Sequence, residues 1–187
     1  SSRMGVAKAG IAWEGSTLLG RAVAALGPVC GRVIVVRSPG QDLPALPHGV
    51  TLVEDALPDR GPLEGLAAGL RAVGPGGSAF VCAADMPLLD AEFAARVLSC
   101  LPPGADAAVP RVHGHPQPLA AAYRTDLLCL LEALLAAGRR SFGDLLDRLE
   151  VCWLDDLLGA ADAVRNVNTP AELEEARQAS RGKRATE

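Results

Sequence analysis

Short runs of continuously apolar or β-branched residues alternate along this chain with longer Ala- and Leu-rich stretches whose apolar positions recur at helical spacing. The runs RVIVV (32–36), VTLVE (50–54), AFVCAA (79–84), DAAVP (106–110), LAAAYR (119–124) and EVCWL (150–154) predict strands. Segments 17–26, 63–73, 90–101, 126–137, 142–149 and 170–179 predict the helices between them. Strands that do not alternate apolar with polar are buried on both faces, and intervening helices supply the cover. The expected architecture is therefore α/β, a single domain built on a mainly parallel sheet. In such folds ligands collect at the carboxyl ends of the strands.

Punctuation sharpens several boundaries. Thr169-Pro170-Ala171-Glu172 combines a helix cap, a proline at the first helical position and an acid placed to complete a capping box. Gly138 is placed to end the helix before it. From about Ser180 the polar SRGKRATE predicts a disordered tail (180–187), leaving one domain over 1–179 without internal repeat or linker. A doubly wound sheet ordinarily starts with a buried strand that feeds the first phosphate loop. Here the loop comes first, and the expectation is that a strand and the first half of its loop belong ahead of Ser1.

Composition removes several function classes. About half of the 187 residues are apolar, enough for a sizeable core. No apolar run reaches the roughly 18 residues of a membrane helix; the nearest, LLCLLEALLAAG, carries Glu132. Five cysteines without a CxxC pair predict buried thiols in a reducing compartment, and with no visible signal peptide the cytoplasm is the expected location. A net charge of −4 and the lack of a basic stripe argue against nucleic acid as a partner. An anionic ligand would need a local cluster of cations.

The opening SSRMGVAK offers one. Eighteen residues are basic, yet only Lys8 and Lys183 are lysines. A turn at Gly5 flanked by Arg3 and Lys8 can wrap a polyphosphate with backbone N–H groups and two cations; it can also be a solvated basic terminus. In AFVCAADMPLLD the strand ends on Asp85, which Met86-Pro87 follow. A carboxylate there can bridge a hard cation to phosphate oxygens, or simply cap the turn. Asp55 and Asp59 follow the 50–54 strand, before the Gly61-Pro62 turn that opens a helix. Asp55 could accept the N1–H and N2–H₂ of a guanine or serve the turn; Asp59 suits the turn. His113 and His115 lack a third ligand and suit a polar loop rather than zinc. Arg139 and Arg140 follow a helix end, where cations complement the dipole or hold a second anion. Asn166 and Asn168 precede Thr169, the better cap, which leaves both amides free for a ligand.

Taken in order, these segments resemble one family. SSRMGVAK is similar to the end of the LAGGxSxRMGxxK loop that opens the molybdenum cofactor guanylyltransferases. RGPLEGLAAGL, CAADMPLLD, HPQPLAAAYR, AAGRRSFGDLL and RNVNTPAEL resemble blocks downstream, so the likeness runs from residue 1 to about 178. The opening loop and the DMP block belong to a broad nucleotidyltransferase superfamily; AGRRSF and NVNTPAEL narrow the resemblance to the guanylyltransferase branch. It implies a three-layer α/β/α Rossmann-like nucleotidyltransferase fold and a Mg²⁺-dependent transfer of GMP from GTP to the phosphate of molybdopterin. In that light Arg3 and Lys8 would neutralise the triphosphate, with Gly5 in their loop, and Asp85 would hold Mg²⁺. Asp55 would read the guanine, beside Gly61. Arg37 would occupy a nucleotide-contact position where a member of the family carries a small amide. Asn166 and Asn168 would lie toward the pterin phosphate and the metal, Asn168 as a metal ligand, with Arg139 and Arg140 on the molybdopterin side. Transient contact with other cofactor-biosynthesis proteins or acceptor molybdoenzymes would follow. A relative that uses CTP or another phosphorylated acceptor is the nearest alternative, and a non-catalytic nucleotide-binding scaffold the alternative of another class. Joint retention of Lys8, Asp85 and Asn168 speaks against the scaffold.

Overall fold

The structure is a computed structural model that describes residues 8–55, 61–155 and 157–184. After a short 3-10 turn at Lys8–Gly10 comes a two-residue hairpin, β1 (Ala12–Trp13) and β2 (Ser16–Thr17). Its turn holds Glu14 and Gly15 at φ 42 and 83, the positive values a type I′ turn demands. Thr17 then caps α1 (Leu18–Leu26) by accepting from the Gly20 N–H. The chain continues through β3 (Val33–Arg37), β4 (Val50–Glu54), α2 (Pro62–Val73), β5 (Ser78–Cys82) and α3 (Ala91–Ser99). The second half holds β6 (Ala107–Val112), β7 (His115–Pro116), β8 (Ala120–Arg124), α4 (Leu128–Ala136), α5 (Phe142–Leu146), β9 (Val151–Leu154), α6 (Ala160–Ala163) and α7 (Pro170–Arg184).

Five of the sheet strands share one direction. β3 and β4 pair in parallel. β5 and β6 both run antiparallel to β8, hence parallel to each other, and β9 runs parallel to β6. Ser38, just past β3, and Ala83–Asp85, just past β5, line one cavity, so these two carboxyl ends lie together. The second sheet reads β5–β8–β6–β9, with β7 pairing the far end of β6. Only β8 reverses the otherwise parallel order of the main strands.

Two hydrophobic layers sandwich that sheet. Ala107, Val109, Ala121 and Tyr123 meet α2, α4 and α5 on one face through Leu63, Leu131, Phe142 and Leu145. The alternate residues Ala108, Ala120 and Ala122 meet α3 and α6 on the other, through Phe93, Val97 and Ala163. Burial of both alternations explains why Ala107–Val109 and Ala120–Ala122 are apolar without a break. Tyr123 is fully buried, its hydroxyl donates to the Pro118 carbonyl at 2.8 Å, and desolvation raises its pKa.

Between β3 and β5 lies an apolar cavity of about 590 Å³. Val33–Val36 and Ser78–Cys82 border it as consecutive residues, so it meets the edges of these strands rather than their faces. Residues of α1 and α2 also line it. Cys30 and Cys82 face it, and burial raises both thiols, Cys82 to about 12 with smaller contributions from Cys30 and Asp85.

Several details depart from expectation. The five thiols are not all buried: Cys129, in α4, is exposed and the other four are partly buried. α7 runs through Ser180 to Arg184, past the expected start of the tail, because Ala, Arg and Lys favour helix and cations suit its carboxyl end. The segment around His113 is a tight hairpin, with His113 and Gly114 at φ 51 and 77 between paired Val112 and His115. The Glu14-Gly15 hairpin and the short α6 were not foreseen.

Candidate functional site

At the carboxyl end of β5 the backbone turns through Ala83–Asp85, and the chain arriving at Lys8 meets it. Lys8 Nζ donates to Asp85 Oδ2 at 2.7 Å and to Asn168 Oδ1 at 2.5 Å. The two charged side chains are only 17% and 19% exposed, so their attraction is less screened than that of a surface pair. Three residues far apart in sequence thus converge on one nitrogen.

Two devices fix Asn168. The Val167 N–H donates to the Asp85 carbonyl at 3.0 Å, lashing this segment to the end of β5. Thr169 and Glu172 form the expected capping box: the Glu172 N–H donates to Thr169 Oγ1, and the Thr169 N–H to the Glu172 carboxylate. The same carboxylate accepts the Asn168 N–H at 2.6 Å, which leaves the Asn168 amide side chain for Lys8. Asn166 is exposed, and its side chain makes no hydrogen bond among the described residues.

Beside this cluster a cavity of about 480 Å³ is lined by Lys8, Ala9, Ser38, Gln41 and Ala83–Asp85. The larger apolar cavity adjoins it at Ala84 but is not lined by Lys8 or Asp85. Asp55 stands near Ser38, whose hydroxyl donates to Asp55 Oδ2 at 3.4 Å. Asp55 Oδ1 is buried without a hydrogen-bond partner among the described residues. A buried, unpaired carboxylate oxygen is costly, and a ligand donor would relieve it.

Arg37 closes the same end of β3, but its guanidinium is already engaged. Nε and a terminal nitrogen donate to Glu54 Oε1 at 3.0 and 2.6 Å across the β3–β4 register, and the other nitrogen to the Gln41 carbonyl at 3.2 Å. In this arrangement Arg37 fixes the loop that carries Ser38 and Gln41.

Gly61 heads α2 with φ 82 and ψ 177, and a Cβ there would lie 3.1 Å from the Arg140 carbonyl oxygen. Arg140 is therefore packed by its backbone against the turn at Gly61. Its placement comes from a Schellman closure of α4: Gly138 has φ 75, and the Arg139 N–H reaches the Leu134 carbonyl at 2.9 Å. Arg139 pairs with Asp144 at 3.2 Å; hydrogen bonding from Ser141, then Arg139, holds that carboxyl below its usual range. The Arg140 side chain is exposed without a partner among the described residues. No hydrogen bond or ion pair among those residues joins Arg139 or Arg140 to Asn166 or Asn168. Arg3, Gly5 and Asp59 lie outside the described residues.

Asp85, Asn168 and Lys8 form a centre suited to phosphate chemistry: hard oxygen donors, a cation and no nucleophile–base pair. No group of three or more His, Cys, Asp or Glu able to hold a metal occurs among the described residues, so neither His113 nor His115 is part of a cluster. No helix among the described residues is long and apolar enough to cross a membrane.

Comparison with known proteins bears on the family and the fold. The family model described as a MobA-like NTP transferase domain matches residues 1–151. A probable molybdenum cofactor guanylyltransferase of Mycobacterium tuberculosis (strain ATCC 25618 / H37Rv) is 37% identical over 178 residues, 92% of this chain and 86% of that protein. The protein of the same description in Mycobacterium avium (strain 104) is 34% identical, covering 96% and 91%. The molybdopterin-guanine dinucleotide biosynthesis protein A of Archaeoglobus fulgidus superposes with a TM-score of 0.74 at 25% identity, over 97% of this chain and 94% of that one. A 2-C-methyl-D-erythritol 4-phosphate cytidylyltransferase of Thermus thermophilus shares the fold at a TM-score of 0.71 and 18% identity, over 93% and 94%. The chain belongs to the MobA-like NTP transferase family and is a nucleotidyltransferase.

Proposed function

We propose that this nucleotidyltransferase moves GMP from GTP to the terminal phosphate of molybdopterin, with Mg²⁺ as its cofactor. The observation that carries this reading is the meeting of Lys8, Asp85 and Asn168 on one cation, at the mouth of the cavity beside Ser38 and Asp55. An acceptor phosphate oxygen attacks the α-phosphorus of GTP. The new P–O bond forms as the α–β bridging bond breaks, and pyrophosphate leaves with the bond's electron pair. Such a transfer asks side chains for alignment and charge neutralisation rather than covalent chemistry.

The residues fit a divalent cation. Asp85 Oδ2 and Asn168 Oδ1 already share one positive charge, and carboxylate and amide oxygens are donors that Mg²⁺ accepts. When bound there, with phosphate oxygens completing its shell, the ion would supply charge neutralisation on the triphosphate. Lys8, with Arg3, would bind the phosphate oxygens. Asp55 Oδ1, buried without a partner among the described residues, would accept from the guanine edge. Arg37 would hold the Ser38–Gln41 loop against the base. Arg140, exposed beside Gly61, would meet the second substrate.

Calorimetric titration with GTP, CTP and ATP, each with and without Mg²⁺, tests the reading, followed by assay of pyrophosphate release with molybdopterin. GTP binding that Mg²⁺ strengthens is expected. Preference for CTP would change the product, and binding of no nucleotide would leave a scaffold. Asp85→Asn is expected to lower turnover by at least ~10²-fold while GTP binding weakens only modestly, the pattern of a lost charge-stabilising group. Unchanged turnover would remove Asp85 from the metal role.

A further inference from the structure

The geometry points to Lys8 as an internal cation that holds the divalent-metal site shut until the nucleotide arrives. This inference rests on the metal role proposed for Asp85 and Asn168. The two oxygens offered to the metal are the two that Lys8 Nζ already uses, at 2.7 and 2.5 Å. An ammonium and a hard divalent ion cannot share that space. Asp85 has no second cationic partner among the described residues, and the pair is mostly buried, so the tethered ammonium competes at high local concentration. Asn168 cannot swing away freely, because its backbone is tied to Glu172 and its neighbour Val167 to Asp85.

The competition has a built-in release. Lys8 sits on the wall of the cavity that Ser38, Gln41 and Ala84 also line. A polyphosphate entering there offers Nζ several anionic oxygens against one carboxylate, and Lys8 moves to them. That frees Asp85 and Asn168 as the phosphates bring further oxygen ligands. Nucleotide and metal therefore bind with positive coupling, and the reciprocal holds: the metal tightens the nucleotide by the same factor. The arrangement also spares the free enzyme an unpaired, largely buried carboxylate.

The test is Mn²⁺ binding to the nucleotide-free 187-residue chain, followed by electron paramagnetic resonance of the free ion. Wild type, Lys8→Met, Lys8→Gln and the double variant Lys8→Met/Asp85→Asn are compared, with circular dichroism to verify folding. Either single variant is expected to bind Mn²⁺ at least ~10-fold more tightly than wild type, the gain from removing one adjacent positive charge. The double variant should lose that gain. Lys8→Gln, one bond shorter but still a hydrogen-bond donor, serves if Lys8→Met proves unstable. Equal Mn²⁺ affinity in wild type and the folded single variants overturns the inference, even if GTP still recruits Mn²⁺ to wild type and the functional reading survives. If no form binds Mn²⁺ even with GTP present, the metal role falls and this inference with it. If the single variants gain Mn²⁺ affinity while wild type ignores GTP, the inference stands and the choice of nucleotide is what fails.

Discussion

Gly61 sits in a backbone region that only glycine enters comfortably, with φ 82 and ψ 177 at the head of α2. It also lies against the Arg140 carbonyl, which a Cβ would approach to 3.1 Å. Two penalties therefore coincide in Gly61→Ala: unfavourable dihedrals and a backbone neighbour that cannot rotate away. Stability should fall by about 1–3 kcal/mol, read by chemical denaturation. An unchanged midpoint would mean that the turn relaxes without Arg140. At this scale the sequence was only partly legible. Gly61 and Arg140 each stood out, but their contact depends on how α4 ends and how α2 begins. Arg37 shows the same limit. Its position in the family resemblance implies a nucleotide contact, whereas the parallel register that puts Glu54 opposite it is a property of the pairing.

Among the elements, the β1–β2 hairpin and α7 hold Asp85 and Asn168 in place. Trp13 is 1% exposed and packs with Leu18, Leu88, Val167, Leu173 and Ala176. Arg177 reinforces the same junction by donating to the Ala12 carbonyl at 2.9 Å. Because Val167 is also bonded to the Asp85 backbone, this cluster sets where Asn168 stands. Trp13→Ala should cost about 3–5 kcal/mol, a large share of a typical domain's stability. Trp13→Phe should cost clearly less, since the indole Nε1 is buried without a partner among the described residues and its removal leaves no donor unmet. Thermal denaturation of the two variants separates these cases; equal losses would mean that Nε1 has a partner. Periodicity located nearly every helix and long strand because their apolar rhythm is local. It passed over this hairpin, where two-residue strands carry no rhythm and Glu14-Gly15 is the sole cue. The Thr169–Glu172 cap was legible for the opposite reason: all its atoms come from four consecutive residues.

At the scale of the whole molecule, the three layers close around one unfilled slot. β3 pairs only with β4, and β5 only with β8, among the described residues, and their free edges face the 590 Å³ cavity. Backbone donors and acceptors on such edges lack partners in an apolar setting, which costs stability and invites pairing. β3 and β5 each offer five residues, and their carboxyl ends converge on the cavity that Lys8 lines. A strand lying between them in the same direction would end beside the cavity that Lys8 lines. The slot therefore has the length, direction and apolar lining to take one further strand. Extending the chain before Ser1 by a six-residue apolar, β-branched strand and a short Gly-containing loop is predicted to fill it. Amide exchange at Val33–Val36 and Ala79–Cys82 should slow at least ~10-fold as the edges gain partners. The melting temperature should rise by ~2–4 °C for each kcal/mol gained. Because both faces of the slot are apolar, an extension alternating apolar with charged residues should give neither effect. Exchange that stays fast with the apolar extension would show that the edges do not accept a strand. Protection accompanied by a doubled mass in light scattering would show that strand exchange between two copies had filled the slot instead.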